Sequence, residues 1–343
     1  MEKSIKYIVS TLDNKTSGKN GYDELKDTFK ALEINFKLEK WLSYGTFIVD
    51  VCIENENFVK ICDESFFIRH IFPCENVFEN IDAMDNLDRY FETLDLNLIK
   101  DEIVGVQGFS FMDNEYFRKS EFALKLENFL KEKNIEVDNK NANYVFSFVQ
   151  NKEKTYIGKS YIKDNLTSWI LGNVRLKKDD EQISRAAFKL DEAFSFFNIE
   201  ATFNKAVDLG ASPGGWTKVL ADKGMIVYAV DPATLDPKLK KYSNIKFFNM
   251  LSQEFVSKTT EKFDLIVNDM KMDVVKSCEI TCELEKILEK DGFGIITFKL
   301  PENKQRGKIL DGLRVLSVCY DVLKVKQLHH NRHEVTVLFQ KRG

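Results

Sequence analysis

A glycine-rich turn directly after an apolar run restricts this chain to a small number of folds. The apolar residues 206–209 are followed by Gly210-Ala-Ser-Pro-Gly-Gly and then by a helix-like stretch over 215–221. A strand that meets a helix through such a turn presents free backbone N–H groups at its carboxyl end, where open α/β sheets bind ligands. The sequence therefore predicts an α/β sheet with a ligand site around residues 208–216.

The next predicted strand indicates which kind of ligand the turn accepts. This strand covers 225–230 and ends in Asp231, 21 residues after Gly210. An acid at that distance accepts hydrogen bonds from a ribose. Ser212 and Pro213 stand where a dinucleotide-binding turn would keep glycine. We therefore predict a nucleoside cofactor without a pyrophosphate, such as S-adenosylmethionine; a purely structural turn is the alternative.

Length and composition are those of a soluble protein with several domains. The 343 residues predict two or three domains, and 43% apolar and 30% charged residues are typical of globular chains. No apolar stretch is long enough to span a membrane and the first residues do not form a signal peptide, so we expect a cytoplasmic protein. A net charge of −4 means that any RNA affinity comes from local basic patches.

Cysteine and histidine positions give two possible metal sites, and neither is the preferred interpretation. Cys278 and Cys282 are four residues apart on a predicted helix, but the six cysteines form no CxxC pair and reduced, partly buried thiols are favoured. His329, His330 and His333 have no accompanying acid or thiol pattern, so a polar hairpin loop is favoured there. We predict no metal.

The first half of the chain contains two α+β patterns. We predict a ferredoxin-like module over 1–80, because its elements follow a βαββα order. A second small module follows over 81–178. The elements predicted for the first are a strand over 4–10, a helix over 23–32, a strand or hairpin over 41–53 and a helix over 57–67; those for the second are helices over 87–98 and 121–133 and extended segments over 103–111, 144–149 and 155–162.

Lysines alternate with aromatic residues in the last predicted hairpin of the second module and in the stretch that follows it. Lysines supply phosphate contacts and rings supply base stacking, so the hairpin is a candidate RNA surface. A solvated face with its aromatic residues in the core explains the pattern equally well. The rings are Phe146, Phe148, Tyr156, Tyr161 and Trp169, and the candidate RNA contacts are Lys152, Lys154, Lys159, Lys163 and Arg185.

From residue 179 onward helices and strands alternate, after a polar linker over 177–181. Only five residues, 329–333, join the last two predicted strands, too few for a helical crossover, so those strands must form an antiparallel hairpin. A mostly parallel seven-stranded sheet with an antiparallel last strand is the architecture of class I (Rossmann-like) methyltransferases, which we predict for 179–343. The predicted strands cover 205–209, 225–230, 245–248, 263–268, 292–298, 319–328 and 334–339, after a helix over 184–197.

Two lysines and two carboxylates are predicted to meet at one edge of this sheet. Asp269 and Lys299 follow two of the strands, Glu334 begins the antiparallel strand, and Lys189 lies on the preceding helix. A ribose 2′-hydroxyl is a poor nucleophile, and a lysine whose pKa is lowered by burial and a second cation can activate it. We expect Lys299 to be the base or aligner, Lys189 the second cation, and both acids to orient them. Solvated surface residues are the alternative.

Five segments resemble the FtsJ-type RNA 2′-O-methyltransferases, whose Lys-Asp-Lys-Glu tetrad falls on the four residues named above. The segment over 326–337 resembles RlmM-type enzymes in particular, which methylate a cytidine 2′-hydroxyl in large-subunit ribosomal RNA. This resemblance implies a ferredoxin-like plus THUMP region before the catalytic domain. The resembling segments are Ser184-Arg-Ala-Ala-Phe-Lys-Leu-Asp-Glu-Ala, Asp208-Leu-Gly-Ala-Ser-Pro-Gly-Gly-Trp, Asn268-Asp-Met, Phe298-Lys-Leu-Pro and His333-Glu-Val-Thr-Val.

The turn and the resemblance together indicate which residues contact S-adenosylmethionine. No acid follows the third strand to hold the adenine, so either Asn249 takes that place or the adenine rests on Met250 and Leu251. The candidate cofactor contacts are Ser184, Asp208, Gly210, Ser212, Pro213, Gly214, Gly215, Trp216, Asp231, Asn249 and Asp269.

Two other functions remain as alternatives to ribose methylation of 23S rRNA. A THUMP-type base methyltransferase typically has an Asn/Asp-Pro-Pro-Tyr-like turn, whereas this chain has Asn268-Asp-Met-Lys. A carbon-5 pyrimidine enzyme would need a nucleophilic cysteine at that strand end, and Cys278 lies too far along. A non-catalytic RNA-binding factor is the second alternative, against which the intact tetrad argues. We expect an RNA partner and a monomer or weak dimer.

Overall fold

The computed structural model describes residues 4–80, 86–111, 119–176, 182–199 and 202–342. The chain divides into two compact units, Met1–Asn173 and Val174–Gly343. The linker predicted over 177–181 lies outside the described residues, and the predicted domain limits at 80 and 178 stay predictions. No helix in the described part of the chain has the length and apolar character needed to cross a membrane.

The first unit begins with a four-stranded antiparallel sheet. Its strand order is β2-β3-β1-β4, the βαββαβ arrangement of ferredoxin-like folds. The hairpin alternative predicted for 41–53 is correct, because the turn at residues 42–45 separates two strands. The elements are β1 (Ile5–Ser10), α1 (Lys15–Ala31), β2 (Phe36–Trp41), β3 (Thr46–Val51), α2 (Asn55–Glu64) and β4 (His70–Pro73).

Helix α1 begins eight residues before its predicted start at residue 23. Asn14 caps it, since its side-chain Oδ1 accepts the Ser17 N–H at 2.9 Å. Gly18, a poor helix former, lies inside the helix because a Cβ there would stand 1.9 Å from the carbonyl oxygen of Tyr44. The apolar periodicity therefore missed the first two turns, which pack through glycine backbone.

A second four-stranded sheet completes this unit. Its order is β5-β8-β7-β6, with β6 and β7 parallel. The helix predicted over 87–98 ends at Phe91, and Asp95 accepts the backbone N–H of Asn97 at 3.0 Å in a polar turn beyond it. The elements are β5 (Asn76–Glu79), α3 (Leu87–Phe91), β6 (Val104–Ser110), α4 (Lys119–Glu132), β7 (Tyr144–Gln150) and β8 (Lys154–Tyr161).

The second unit is a seven-stranded sheet of order β11-β10-β9-β12-β13-β15-β14. Strand β15 is antiparallel to both neighbours and the other pairs are parallel, which confirms the predicted sheet. The elements are α5 (Ala187–Phe196), β9 (Lys205–Leu209), α6 (Gly215–Asp222), β10 (Ile226–Val230), β11 (Ile245–Phe248), α7 (Ser252–Lys258), β12 (Phe263–Asn268), α8 (Val274–Glu283), β13 (Leu288–Lys299), α9 (Gln305–Leu316), β14 (Tyr320–Lys326) and β15 (Glu334–Lys341).

The strand order determines where a ligand can bind. The central strands β9 and β12 are buried along most of their length, which explains their continuous apolar sequences. From β9 the chain builds outward through β10 and β11, and then returns to β12 on the other side of β9. This reversal opens a crevice at the carboxyl ends of β9 and β12.

Candidate active site at the carboxyl ends of the parallel strands

Four charged side chains alternate in sign around a closed ring at this edge of the sheet. We call this cluster the charge ring. The Lys189 Nζ lies 2.6 Å from Glu334 Oε2 and 3.5 Å from Asp269 Oδ2. The Lys299 Nζ lies 3.3 Å from Glu334 Oε1 and contacts Asp269 Oδ1 directly. Only 14–17% of each side chain is exposed. The structure thus brings together the four residues that the sequence singled out.

Four separate elements position the ring. Lys299 and Glu334 are direct cross-strand partners at the end of β13 and the start of β15. The next residue, Leu300, donates its N–H to the His333 carbonyl at 2.7 Å, and Pro301 then ends the pairing. Asp269 follows β12, and Lys189 comes from α5. Because β15 runs antiparallel, its first residue lies on the same edge as the last residue of β13.

Buried polar side chains that sequence reasoning did not select hold Asp269 in place. The Thr297 hydroxyl donates to Asp269 Oδ1 at 2.5 Å from a position two residues before Lys299 on β13. The Asn268 amide donates to Ser277 at 3.2 Å and to Thr281 at 2.9 Å, while its oxygen accepts the Met270 N–H at 3.0 Å. These hydrogen bonds of Asn268 fix the turn that carries Asp269. Thr297 could have been found by its i,i+2 spacing from Lys299.

The charge balance of the ring keeps Lys189 protonated. Burial is the largest single influence and lowers the pKa of Lys189, but Asp269 and Glu334 together outweigh it, so that this pKa is raised above its ordinary value. Lys189 therefore fits the expected role of a permanent second cation. A lowered pKa, which is expected of the activating lysine, is not a property of Lys189.

Asp208, at the end of β9, is buried and holds its proton more tightly than an ordinary aspartate. The pKa of Asp208 is raised to about 7, mainly by burial. The hydrogen bond from Thr217 lowers this pKa, whereas the charges of Asp269 and Asp231 raise it. The Thr217 hydroxyl donates to Asp208 Oδ2 at 2.6 Å. The charges of Asp231 and Asp269, at the ends of β10 and β12, thus act on the carboxyl group of Asp208 at the end of β9, and this edge of the sheet has an acidic character.

The glycines of the turn are required by the chain's own packing. Gly210 and Gly214 have φ values of +71° and +112°, and a Cβ at either would meet Met270 or Leu239 within 2.6 Å. A Cβ on Gly215 would lie 2.1 Å from the Ser184 hydroxyl oxygen. The sequence also predicts that these glycines leave room for a ligand, and that reason stays a prediction.

Two polar side chains beside the turn, Asp231 and Ser184, differ in their hydrogen bonding. Asp231 accepts the Ser212 N–H at 3.0 Å and the Ala233 N–H at 2.7 Å, which fixes its carboxylate at the end of β10. The Ser184 hydroxyl is buried and has no hydrogen-bond partner among the described residues. Buried polar atoms are rarely left unpaired, so this hydroxyl marks a place for an external acceptor or donor. The Ser212–Pro213 peptide bond is cis.

Two further candidate cofactor contacts are engaged with the chain itself. Trp216 is 3% exposed, packs in the core under the sheet and donates its indole N–H to the Ala186 carbonyl at 2.8 Å. Asn249 donates to the Pro232 carbonyl at 2.8 Å from an exposed position after β11. Trp216 thus orients the segment leading into α5, and a cofactor contact for either residue stays a prediction.

The histidine loop between β14 and β15 is anchored by a buried acid that sequence reasoning missed. Glu192 on α5 accepts the backbone N–H of His329 at 2.7 Å and that of His330 at 2.8 Å. The His330 Nδ1 lies 2.6 Å from the same carboxylate. No group of three or more potential metal ligands occurs in the described ranges of the chain. The sequence carries no signal for this contact, because the burial of Glu192 is known only from the structure.

The lysines of the predicted RNA hairpin occupy different environments. Lys152 and Lys163 are exposed, and Lys163 lies 5.3 Å from the centre of the Tyr161 ring. Lys159 is only 6% exposed and its Nζ lies 3.0 Å from Glu75, and Lys154 lies 2.5 Å from Glu79. Burial in an ion pair does not favour Lys159 as a phosphate contact. RNA contact by Arg185 and by these lysines stays a prediction.

The aromatic rings of this hairpin and of the stretch after it are divided between core and surface. Phe146, Phe148 and Tyr156 are buried, as the alternative interpretation expects, whereas Tyr161 and Trp169 are exposed. The sequence pattern therefore combined core residues with surface residues, and only the latter are available for stacking.

The strand order, with one antiparallel strand and a glycine turn after the first strand, defines a class I methyltransferase fold. The sequence profile of the FtsJ-like methyltransferases matches residues 182–342. A protein named "Ribosomal RNA large subunit methyltransferase M" from Histophilus somni (strain 2336) is 31% identical over 265 residues, which cover 73% of this chain and 69% of the relative. The chain belongs to the FtsJ-like family of methyltransferases that includes these large-subunit M enzymes.

Other relatives with the same name match over a shorter span. The protein from Pseudoalteromonas atlantica (strain T6c / ATCC BAA-1087) is 31% identical over 206 residues, 55% of this chain and 56% of the relative. The chain spans about half the length of most of these relatives, between 54% and 56%. A solved structure of TrmN from Thermus thermophilus aligns over 98% of this chain and 100% of that chain, with a TM-score of 0.42 and 13% identity.

Proposed function

We propose that the chain is an S-adenosylmethionine-dependent RNA ribose 2′-O-methyltransferase that acts on 23S ribosomal RNA, at a cytidine. The observation that carries this proposal is the ring of Lys189, Asp269, Lys299 and Glu334 beside the glycine turn. The relatives' names support a large-subunit rRNA substrate. The resemblance to RlmM-type enzymes supports cytidine.

The residues around the turn fit S-adenosylmethionine. This cofactor supplies a methyl group activated by a cationic sulfonium, and the acidic edge formed by the carboxylates of Asp231 and Asp269 suits a cation. Asp231 stands where a ribose diol is held in α/β sheets. The unpaired Ser184 hydroxyl offers one more hydrogen bond. Positioning of the methyl group against the hydroxyl then supplies much of the rate.

The lysines act on the ribose hydroxyl in distinct ways. Lys299 accepts the 2′-hydroxyl proton or donates a hydrogen bond that aims the oxygen lone pair; both roles need its Nζ next to that oxygen. Lys189 stays protonated, because its pKa is raised. Asp269 and Glu334 each contact both lysines and hold the two Nζ atoms in place.

The turn after β12 argues against methylation of a base nitrogen. In that chemistry the asparagine of the turn holds the base amine beside a stacking ring. Here the Asn268 amide and oxygen are committed to Ser277, Thr281 and Met270. No aromatic residue occurs in the segment Asn268-Asp-Met-Lys. A non-catalytic RNA-binding role does not explain why two lysines and two carboxylates converge beside the glycine turn.

The direct test is the chemical identity of the product. The full chain is incubated with labelled S-adenosylmethionine and with 23S rRNA from a strain that lacks the gene, and the RNA is then hydrolysed in alkali. A methylated 2′-oxygen cannot cyclise, so the label is expected in an alkali-resistant dinucleotide whose first nucleoside is cytidine. Label in alkali-labile nucleotides would indicate base methylation and overturn the proposal, and absence of methyl transfer to this RNA would do the same.

A further inference from the structure

The turn between β2 and β3 exposes two aromatic side chains to solvent. This turn is far in sequence from the four residues of the charge ring. Tyr44 is 70% exposed and Trp41 is 38% exposed. Together with two lysines of α1 they line a cavity of about 650 Å³, within the range of small-ligand sites. We call it the hairpin-tip pocket; its lining residues are Asp13, Lys15, Lys19, Trp41, Leu42, Ser43, Tyr44 and Phe111.

The backbone under Tyr44 is held rigidly although its ring is exposed. Asp13 Oδ1 accepts the Ser43 hydroxyl at 2.6 Å and the Gly45 N–H at 2.9 Å. A Cβ on Gly18 would lie 1.9 Å from the Tyr44 carbonyl oxygen, so helix α1 packs directly against the turn. At 70% exposure the Tyr44 ring contributes little to packing, while the backbone that carries it is held by these contacts.

Trp41 forms the packed wall of the pocket. Its ring centre lies 4.7 Å from that of Phe47 and 6.0 Å from that of Tyr22. The core thus fixes the orientation of the indole while more than a third of the residue stays open to solvent. The packed indole of Trp41 and the exposed ring of Tyr44 both line the pocket, and planar groups can stack on either ring.

The charges around the pocket favour an anion. Lys15 and Lys19 lie in the first two turns of α1, whose first turn contains no acid. Both are exposed, and neither has an ion pair within the described parts of the chain. Lysines at the positive end of a helix are unfavourable unless an anion balances them. Asp13, whose Oδ1 accepts both hydrogen bonds from the turn, offsets one of the two lysine charges, so the lining carries a net charge of +1.

We infer that the hairpin-tip pocket binds an unpaired nucleotide of single-stranded RNA, with the base stacked on Tyr44 or Trp41 and the phosphates next to Lys15 and Lys19. Rings for stacking and cations for phosphate are the combination that single-stranded RNA requires. The RNA partner rests on the proposed function; the pocket is a contact additional to the lysines of the β7–β8 hairpin.

The test measures RNA binding by the full chain, with a short fluorescein-labelled single-stranded RNA as the probe. Tyr44→Leu is expected to raise Kd by roughly 5- to 100-fold, since stacking on an aromatic ring accounts for that range. Tyr44→Phe keeps the ring and is expected to bind as the wild type does. Because Tyr44 is exposed, neither variant removes core packing. Equal Kd values for the leucine variant and the wild type would overturn the inference.

The lysines give an independent readout. Lys15→Gln with Lys19→Gln is expected to reduce the slope of log K against log salt by about 1.4, near 0.7 for each phosphate that the variant no longer neutralises. The matched control is Lys26→Gln with Lys30→Gln, which removes the same charge from exposed positions further along α1. Equal slopes for the two pairs would contradict a phosphate contact in the pocket.

Failure of this inference is separable from failure of the proposed function. The binding assay does not depend on methyl transfer. RNA binding that depends on Tyr44, together with no methylation of 23S rRNA, would support the pocket and overturn the enzymatic proposal. A Tyr44→Leu variant that methylates RNA with unchanged KM and Kd ends the pocket alone. A change in self-association in place of RNA affinity would assign the surface to a protein contact and also overturn the inference.

Discussion

The buried carboxylate of Glu192 contacts His330 twice, accepting its backbone N–H at 2.8 Å and lying 2.6 Å from its Nδ1. This contact connects two members of the charge ring. Lys189 lies three residues before Glu192 on α5, and the loop that carries His330 leads directly into Glu334. Glu192 thus holds the helix that supplies one lysine against the loop that supplies one carboxylate.

Replacing this acid is expected to loosen the ring. Glu192→Ala leaves two backbone N–H groups of the loop without an acceptor and should lower the free energy of unfolding by about 1–3 kcal/mol for each. Denaturant titration measures this loss. Glu192→Gln keeps one strong acceptor and should fall between the alanine variant and the wild type. Glu289→Gln, at an exposed position, is the control, and equal stability of all these variants would contradict an anchoring role.

Removing Lys299 is expected to abolish methyl transfer while cofactor binding persists. Loss of a base or aligning group costs roughly 10²- to 10⁴-fold in rate, whereas the proposed cofactor contacts lie on other residues. Single-turnover methyl transfer measures the first quantity for Lys299→Ala, and calorimetric titration with S-adenosylmethionine measures the second. Lys271→Ala, an exposed lysine just beyond Asp269, is the control. Near-normal turnover of Lys299→Ala would show that the assigned role is wrong.

The sequence predicted the sheet and the ring well, for a physical reason. Parallel strands with both faces buried have continuous apolar sequences, and residues that follow them necessarily meet at one edge. Asp269, Lys299 and Glu334 could therefore be placed from strand order alone. Contacts made through turns or backbone could not be placed in this way. The anchoring by Glu192 depends on where a loop folds back, and no periodicity records it.

The same limit explains the mixed outcome in the β7–β8 hairpin. Alternation along a strand shows that neighbouring side chains face opposite ways, but it does not show which face a second element covers. The sequence therefore identified the lysines and aromatic residues of the hairpin, but it did not show which of them lie in the core and which at the surface. Lys159 is buried beside Glu75, whereas Lys152 and Lys163 are exposed.

This difference predicts unequal effects of lysine substitutions on RNA binding. Lys152→Gln and Lys163→Gln should each flatten the salt dependence of binding, by about 0.7 per phosphate contact on single-stranded RNA. Lys159→Gln should leave that slope unchanged and lower the free energy of unfolding, because Glu75 loses its partner at 3.0 Å. Filter binding over a salt series and denaturant titration give the two readouts. If neither variant of the two exposed lysines changed the slope, the hairpin would be a solvated face that does not contact RNA.

Asp208 predicts a pH dependence of stability with a definite sign. Its pKa is raised to about 7 in the folded chain, above about 3.9 for an unfolded aspartate. Below about pH 4 both states hold the proton. Between about pH 4 and 7 only the unfolded state releases it, so the free energy of unfolding falls as pH rises, by about 1.4 kcal/mol per unit for this group. Above about pH 7 the contribution levels off.

Asp208→Asn removes this titration and keeps an oxygen that can accept the Thr217 hydroxyl. The free energy of unfolding of the variant minus that of the wild type should therefore rise between pH 5 and 7 and stay constant above that range. Any pH-independent effect of the amide on stability shifts this difference equally at every pH. Denaturant titrations at several pH values measure the difference, and Asp321→Asn, on a surface acid 60% exposed, is the control for general charge effects. A difference that does not change with pH would mean that Asp208 is ionised throughout this range. The acidic edge would then carry one more full negative charge beside the proposed cofactor site, and binding of the cationic cofactor should show no weakening as pH falls from 8 to 6.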